Sequence, residues 1–567
     1  MGTRDMSVAS GITIRPYQEE ALQAIADSDE RSVLVSLPTG TGKTVVFSEV
    51  IRRRGGTALI LAHRDELLTQ AGEKLRMVAP ELAMSIGTVK AERNDTGAPV
   101  VLASVQTLGA RRKAGEEWVY PRLEQLPRRF DTVIVDEAHH ATASTYRAVL
   151  DHVADSPLVV GVTATPERHD KKSDLRTVFD EMVYARSLEG MIREGWLCDL
   201  RAIRVELDGL DLSRVKKSRG DYQAEALGEA LEDADAIPQA VAAYLEHAEG
   251  KRTVAFFPTV AVSQHAADAF SAAGVRAAHL DGETPTEERR GILQRLSTGD
   301  LDLVANVGVL LEGWDEPSLE CVLIASPTKS RIKYAQQVGR GTRLYPGKTD
   351  CLILDVCGAT EEHSLQSVGV LFGLRKPPKP GETLTQAKDR QDARDDELLQ
   401  RTKPSLAPTG RASVSSRPVH LFNRDAIAWT HVGERWIVSL TNDRMIVLDP
   451  HDNAWRVLVF ATYEDGPTGM IARVAARNLD LGYAQGAAET IIRDLEQTYL
   501  ADREAPWRSQ PATSSQLHYA RKCGVVPEPG ATKGQVADQI TMAVAAERLV
   551  AFDRAVADAS TASEQAA

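Results

Sequence analysis

Between Val33 and about Leu374 the chain repeats one pattern: a run of four or five mostly apolar residues, then a longer stretch of mixed polarity. The first series of runs is 32–36 (SVLVS), 58–61 (ALIL), 100–103 (VVLA), 132–135 (TVIV) and 158–162 (LVVGV). A strand with one wet face alternates apolar and polar residues, whereas a continuous apolar run is covered on both faces. The segments between the runs are long enough for crossover helices. The pattern therefore predicts an α/β fold with helices on both faces of a parallel sheet. A second series starts near Arg252, with runs at 253–257 (TVAFF), 301–305 (LDLVA), 321–324 (CVLI) and 350–354 (DCLIL). Two such units stand in tandem, joined by a segment from about Glu206 to Pro238 with helical content.

The chain has 567 residues, which at roughly 150 per domain suggests three or four domains. We expect a first α/β domain over 1–205 and a second over 206–375. A linker covers 376–418, opening on Lys376-Pro377-Pro378-Lys379-Pro380-Gly381 and carrying a charged, helical stretch. A small antiparallel β/α module follows over 419–505. Its alternating strands contain Trp429, Trp436 and Trp455, its turns fall at 442–443 and 449–453, and a helix spans 489–500. A helical tail, 506–567, ends in an Ala-rich segment expected to fray.

Composition excludes little. The formal charge is −13, so the chain is not a basic coat for nucleic acid, although a local basic cleft is compatible with it. No apolar run reaches the ~18 residues of a membrane span, and no secretory signal opens the chain, so a cytoplasmic location is expected. The five cysteines form no CxxC pair. Reduced thiols are expected, and no structural zinc.

The chemistry lies where the runs end. Residues 37–44 read Leu37-Pro38-Thr39-Gly40-Thr41-Gly42-Lys43-Thr44 and open a helical segment. Glycines let a backbone wrap phosphate, N–H groups at a helix start face the anion, Lys43 reaches the β/γ-phosphates and Thr44 binds Mg²⁺. Leu37 stands where the strict P-loop pattern has Gly. Asp136-Glu137-Ala138-His139-His140 ends the run 132–135, placing one carboxylate to hold Mg²⁺ and a neighbour to orient the attacking water. Thr163-Ala164-Thr165-Pro166 ends the run 158–162. On a later helical segment, Gln336-Gln337-Val338-Gly339-Arg340-Gly341-Thr342-Arg343 projects two arginines to one side, suited to charge building on a phosphoryl group.

In that order, these motifs resemble the superfamily 2 helicases over about Ile12 to Leu374. Within them, ITIRPYQ (12–18), GVLLEGWDEP (308–317) and QVGRGTRLY (337–345) are most similar to RadD-type and XPB-like DNA helicases. The resemblance implies two RecA-like domains with ATP between them and nucleic acid across both. Position by position, it implies that Arg15 and Gln18 contact adenine, that Lys43 and Thr44 bind phosphate and Mg²⁺, and that Asp136 and Glu137 hold metal and water. It implies that His139, Thr163 and Thr165 couple hydrolysis to motion and that Gly313 and Asp315 reach nucleotide from the second domain. Gln336, Arg340 and Arg343 then complete the catalytic set, the arginines as fingers on the γ-phosphate. Gln337 departs from the family, standing where many relatives carry Arg.

Weaker signals concern the strand. His63 and Arg64, Ser104, Gln106 and Thr107, and Thr259 match segments that grip a sugar–phosphate backbone, and a local capping role competes for each. Arg289 and Arg290 read better as a solvated face, and Trp314 as packing. The tail tryptophans either stack bases or pack a small sheet; Lys522 and Lys533 either meet phosphates or lie solvated. RadD-type proteins carry cysteine-rich modules in this region, where this chain has only Cys523. The expected activity is ATP-dependent translocation on or unwinding of nucleic acid, DNA rather than RNA. The alternatives are a duplex-DNA motor of a restriction complex and an RNA helicase. The C-terminal extension is a candidate surface for a protein partner.

Overall fold

The computed structural model describes residues 13–114, 117–165, 175–207, 209–218, 221–358, 367, 372, 374, 377–402, 427–432, 434–441, 444–451, 454–462, 470–495, 498–502 and 505–566. It divides into two compact units, Met1–Gln391 and Asp392–Ala567. Ile12, Pro166 and the stretch 403–426, named above, lie outside the described residues.

The first unit contains two large sheets and two short two-stranded ribbons. In the first, the strands run Glu181–Ala185, Ser32–Ser36, Val159–Thr163, Thr132–Val135, Ala58–Ala62, Val100–Ser104, Ile86–Lys90 and Arg93–Asn94. All neighbours are parallel except the last pair. Ser36 pairs with Thr163 and Leu61 with Val135, so the segments following these strands leave one edge of the sheet together. Ligand crevices of parallel α/β sheets form at such an edge. Strands Ser32–Ser36, Ala58–Ala62, Val100–Ser104, Thr132–Val135 and Val159–Thr163 are buried at every residue, as continuous apolar runs require.

The second sheet is parallel throughout, in the order Asp199–Leu207, Asp350–Gly358, Cys321–Ile324, Thr253–Phe256, Leu303–Asn306, Ala277–Leu280. Strand Asp199–Leu207 pairs with Asp350–Gly358 over its whole length. The second sheet therefore begins inside the segment that the sequence reading assigned to the first domain. The connecting excursion folds as helices Ala224–Asp233 and Ala236–His247. Helix Leu384–Thr402 occupies the start of the expected linker, and Thr385 and Asp199 share a hydrogen bond that ties its first turn to the second sheet.

The second unit holds an antiparallel meander, Thr430–Val432, Arg435–Thr441, Arg444–His451, Ala454–Thr462 and Met470–Leu479, followed by helix Leu481–Asp494. Trp429 and Trp436 are buried and Trp455 half-buried, which makes the first two core residues rather than a platform for bases. Asp449, expected in a turn, is instead a strand residue wholly buried between Arg435 and Arg456. The tail expected to fray is helix Lys533–Ala566. Its Ala545 and Leu549 join Ile437, Met445, Val447, Leu458 and Phe460 in one core. Lys533 bonds Gln510 at 2.7 Å, and Lys522 is exposed.

Gly161, paired with Leu34 in the first sheet, has no room for a side chain. A Cβ there would strike the Phe179 ring and come within 3.0 Å of the Ala138 methyl. Gly161→Val is expected to destabilise the fold by about 1–3 kcal/mol through overpacking, read as a thermal midpoint several degrees below wild type.

Candidate active site

Residues 37–42 leave the strand Ser32–Ser36 and turn into helix Lys43–Arg54. Gly40 and Gly42 take φ of +88° and +81°, values that glycine adopts without steric cost. Below the turn, the Tyr17 hydroxyl and the Gln18 amide both donate to the Thr41 carbonyl, at 2.6 and 3.0 Å. The Thr41 hydroxyl donates back to the Pro38 carbonyl at 2.7 Å. Gln18 also accepts from the Arg15 N–H at 3.0 Å, and the Arg15 guanidinium lies over Trp196. Gln18 is thus buried and hydrogen-bonded to the loop backbone.

At the end of strand Thr132–Val135, which lies beyond Val159–Thr163 in the same sheet, Asp136 and Glu137 are both buried. Glu137 has φ of +46°, a strained left-handed conformation for a non-glycine residue. Its N–H donates to its neighbour Asp136 at 2.9 Å. Lys43 Nζ lies 4.0 Å from Glu137 Oε1, and 3.3 Å from the Leu37 carbonyl, to which it donates. Burial, reinforced by the Glu137 charge, raises the Asp136 carboxyl to about 7. Burial acts the same way on Glu137, but the Lys43 charge and the His139 hydrogen bond outweigh it and hold that group below the ordinary range. His139 Nδ1 stands 3.3 Å from Glu137 Oε2 and 3.3 Å from Thr163 Oγ1. The Thr165 N–H reaches Thr163 Oγ1 at 3.2 Å. A continuous polar chain therefore joins Lys43, Glu137, His139, Thr163 and Thr165.

The second lobe faces this edge directly. A Cβ on Gly339 would stand 2.8 Å from Thr39 Cβ, and one on Gly40 would stand 3.2 Å from Arg343 Cγ. The P-loop and the Gln336–Arg343 segment are thus packed against each other. Arg340 donates to the Trp314 carbonyl, as does Arg343 at 3.2 Å, and Arg343 is ion-paired with Asp315. Gly313 takes φ of +69° in the same loop. Arg340 is 4% exposed, and its Nε has no hydrogen-bond partner among the described residues. Burial and the adjacent Arg343 push its guanidinium down to about 9. A buried cation short of an acceptor is a place for an anion. Gln337 is 1% exposed, with Oε1 likewise without a partner. Trp314 packs against the core, as expected.

The donors at the first-lobe edge suit a divalent cation. Asp136 supplies a carboxylate and Thr44 a hydroxyl at the start of the adjacent helix, an all-oxygen set of the kind that Mg²⁺ takes. Burying two adjacent carboxylates otherwise works against the fold.

The nucleic-acid candidates divide. Ser104 and Thr259 are N-caps, accepting from the Thr107 and Val262 N–H groups at 3.4 and 3.3 Å; the local role accounts for both side chains. Thr107 is half-buried and Gln106 exposed. His63 and Arg64 are turned toward the second lobe, His63 Nε2 at 2.7 Å from Glu312 Oε2 and Arg64 donating to the Gly308 carbonyl at 3.4 Å. Arg290 forms an exposed pair with Glu287, and Arg289 caps a turn through the Asp281 carbonyl. Glu312 was not among the sequence candidates. It sits inside EGWD, beside Gly313, and accepts from Gln336 at 2.7 Å. Tyr17, whose hydroxyl supports the P-loop, lay unremarked inside RPYQ.

A P-loop and an acidic strand end on one RecA-like lobe, faced by an arginine-bearing segment on a second, are the layout of a superfamily 2 helicase motor. Family models agree along the chain: "Type III restriction enzyme, res subunit" matches residues 11–168, "Helicase conserved C-terminal domain" 235–345 and "Mitochondrial helicase Irc3, C-terminal domain" 396–565. A Schizosaccharomyces pombe protein named as a mitochondrial ATP-dependent helicase, irc3, is 31% identical over 94% of this chain and 90% of its own length. A Saccharomyces cerevisiae protein named as an ATP-dependent helicase, IRC3, is 33% identical over 65% of this chain, which spans only about half (54%) of it. The type I restriction enzyme EcoKI endonuclease subunit of Escherichia coli is 26% identical over 61% of this chain and 34% of its own length. The chain belongs to the superfamily 2 ATP-dependent helicases, within the Irc3 family.

Asp136 is expected to set a slope in stability. Its carboxyl ionises near 3.8 unfolded and near 7 folded, so folding takes up a proton between those values and stability falls as pH rises through them. In nucleotide-free, Mg²⁺-free protein, Asp136→Asn is expected to raise the thermal midpoint at pH 8 by a few degrees and to flatten that slope. A midpoint at or below wild type would show the buried charge to be fully compensated.

Proposed function

We propose that the chain hydrolyses ATP in the cleft between its two lobes and uses their closing and opening to move along DNA. The packing of Thr39 and Gly40 against Gly339 and Arg343 supports this reading, because a triphosphate bound by the P-loop would then border the arginine segment. Lys43 and the backbone N–H groups of 40–44 bind the phosphates. Glu137 orients the water and takes its proton. Arg340 and Arg343 stabilise charge on the transferred phosphoryl group. Thr44 and Asp136 would hold Mg²⁺, which when bound neutralises phosphate charge. His139 carries a change at Glu137 to Thr163 and Thr165. Arg15, with Gly313 and Asp315, borders the nucleotide. Arg64, Gln106 and Thr107 remain the side chains offered to a strand, with backbone N–H groups at the caps Ser104 and Thr259.

Lys43→Ala is expected to abolish turnover. Arg340→Ala should bind a non-hydrolysable ATP analogue within a few-fold of wild type yet hydrolyse ATP about 10³-fold more slowly. Normal turnover in either variant would overturn these roles. ATPase rates with single-stranded, duplex and forked DNA and with RNA would rank the substrates, and DNA is expected to stimulate more than RNA.

A second reading, translocation on duplex DNA without strand separation, is favoured by the match of residues 11–168 to a restriction-enzyme subunit model. Triplex displacement without strand displacement would select it. A role in DNA repair, recombination or replication and a cytoplasmic location belong to the same proposal. No described helix is long and apolar enough to cross a membrane, and the fission yeast relative is named for mitochondria.

A further inference from the structure

Beside the nucleotide cleft, three side chains from three separate segments converge. His63 follows strand Ala58–Ala62, His140 ends the turn after Asp136-Glu137, and Glu312 comes from the second lobe. One ligand atom of each lies within 4.8 Å of the other two. His63 Nε2 is 2.7 Å from Glu312 Oε2, and His140 Nε2 is 4.0 Å from Glu312 Oε1. The two imidazole rings lie 4.4 Å apart.

We infer that His63, His140 and Glu312 form a binding site for a borderline transition-metal ion such as Zn²⁺, and that a bound ion pins the two lobes together. Two imidazoles and one carboxylate are a set that zinc accepts with a fourth position left for water. Bonds of about 2.0–2.1 Å to a tetrahedral ion place ligand atoms roughly 3.3 Å apart. His63 Nε2 and His140 Nε2 lie 2.7 and 4.0 Å from the two oxygens of the Glu312 carboxylate, on either side of that value. The Glu312 carboxylate is buried and faces both imidazoles. Binding through Nε2 leaves the His63 ring proton on Nδ1, which is buried with no hydrogen-bond partner among the described residues. Gln336, donating to Oε1 at 2.7 Å, and Arg64, 3.5 Å from Oε2, flank the carboxylate. The nearby His139 is no ligand, because its Nδ1 is already turned to Glu137 and Thr163. The nitrogen-rich donor set also separates this site from the all-oxygen set at Asp136 and Thr44, which suits a harder ion.

An ion holding ligands from both lobes favours the arrangement that brings them together. Turnover that needs the lobes to part is slowed in proportion.

The test uses the full chain, stripped of metal and kept in excess Mg²⁺. Zn²⁺ is titrated against a chromophoric chelator, and DNA-stimulated ATPase is followed in parallel. Wild type is expected to bind one equivalent more than His140→Ala or Glu312→Gln, and its turnover to fall at least threefold as that equivalent fills. His140→Ala should keep wild-type turnover without zinc and become insensitive to zinc. Circular dichroism and thermal midpoints in chelator would establish that both variants fold. Equal stoichiometry in all three proteins would overturn the site. An extra equivalent that leaves turnover unchanged would overturn the pinning. The binding arm needs no turnover, so failure of the proposed ATP cycle would leave it readable.

Discussion

The close approach of two glycines to the opposite lobe is the constraint on which the rest of this structure depends. Gly339 lies against Thr39 and Gly40 against Arg343, with no space for a methyl group at the first contact and little at the second. Larger residues would hold the lobes apart by the width of a side chain. Arg340 would then lie beyond reach of a phosphate held by Lys43. The P-loop glycines thus have two tasks: Gly40 and Gly42 permit the left-handed turn, and Gly40 also clears the way for the second lobe.

The cleft between the lobes is an incomplete ionic arrangement. Lys43, Arg340 and Arg343 face Asp136, Glu137 and Asp315, and all but Asp315 are largely withdrawn from water. Buried charges are tolerated only when paired and hydrogen-bonded. Here one guanidinium nitrogen has no acceptor, and one carboxyl is raised by burial beside another. A polyanion with a divalent cation would satisfy both deficits at once. An arrangement of this kind costs stability in the empty protein, which is where preorganised sites commonly carry their strain.

Much of this was legible before any coordinates. Strands covered on both faces announce themselves as apolar runs, and those at 32–36, 132–135 and 321–324 fall where the runs do. Partly covered strands were less visible. Glu181–Ala185 and Ala277–Leu280 are short, and Asp199–Leu207 is interrupted by Arg201, Arg204 and Glu206, so the apolar signal fades. The missing Asp199–Leu207 strand is also why the boundary between the α/β units was drawn too late. Motif residues could be found because their chemistry requires fixed spacing along one strand–turn–helix passage. Ser104 and Thr259 show the limit of that logic: a hydroxyl at a helix start looks alike whether it caps the helix or meets a phosphate.

Glu312 shows a different limit. Its partners His63 and Gln336 lie 249 residues upstream and 24 downstream in the chain, and no local pattern links them. A lone glutamate in a loop carries no periodicity, and its importance follows only from the second lobe being set against the first. At that position it lies beside the His63-Arg64 turn, the end of the DEAHH segment and the base of the arginine segment. Relative movement of the lobes must break or re-form its contacts with His63 and Arg64. A buried carboxylate cannot be left without partners cheaply. The lobes are therefore expected to exchange between a few discrete arrangements that satisfy it, rather than to slide continuously. Discrete arrangements are what a motor needs if a chemical change at one end of the cleft is to select a grip at the other.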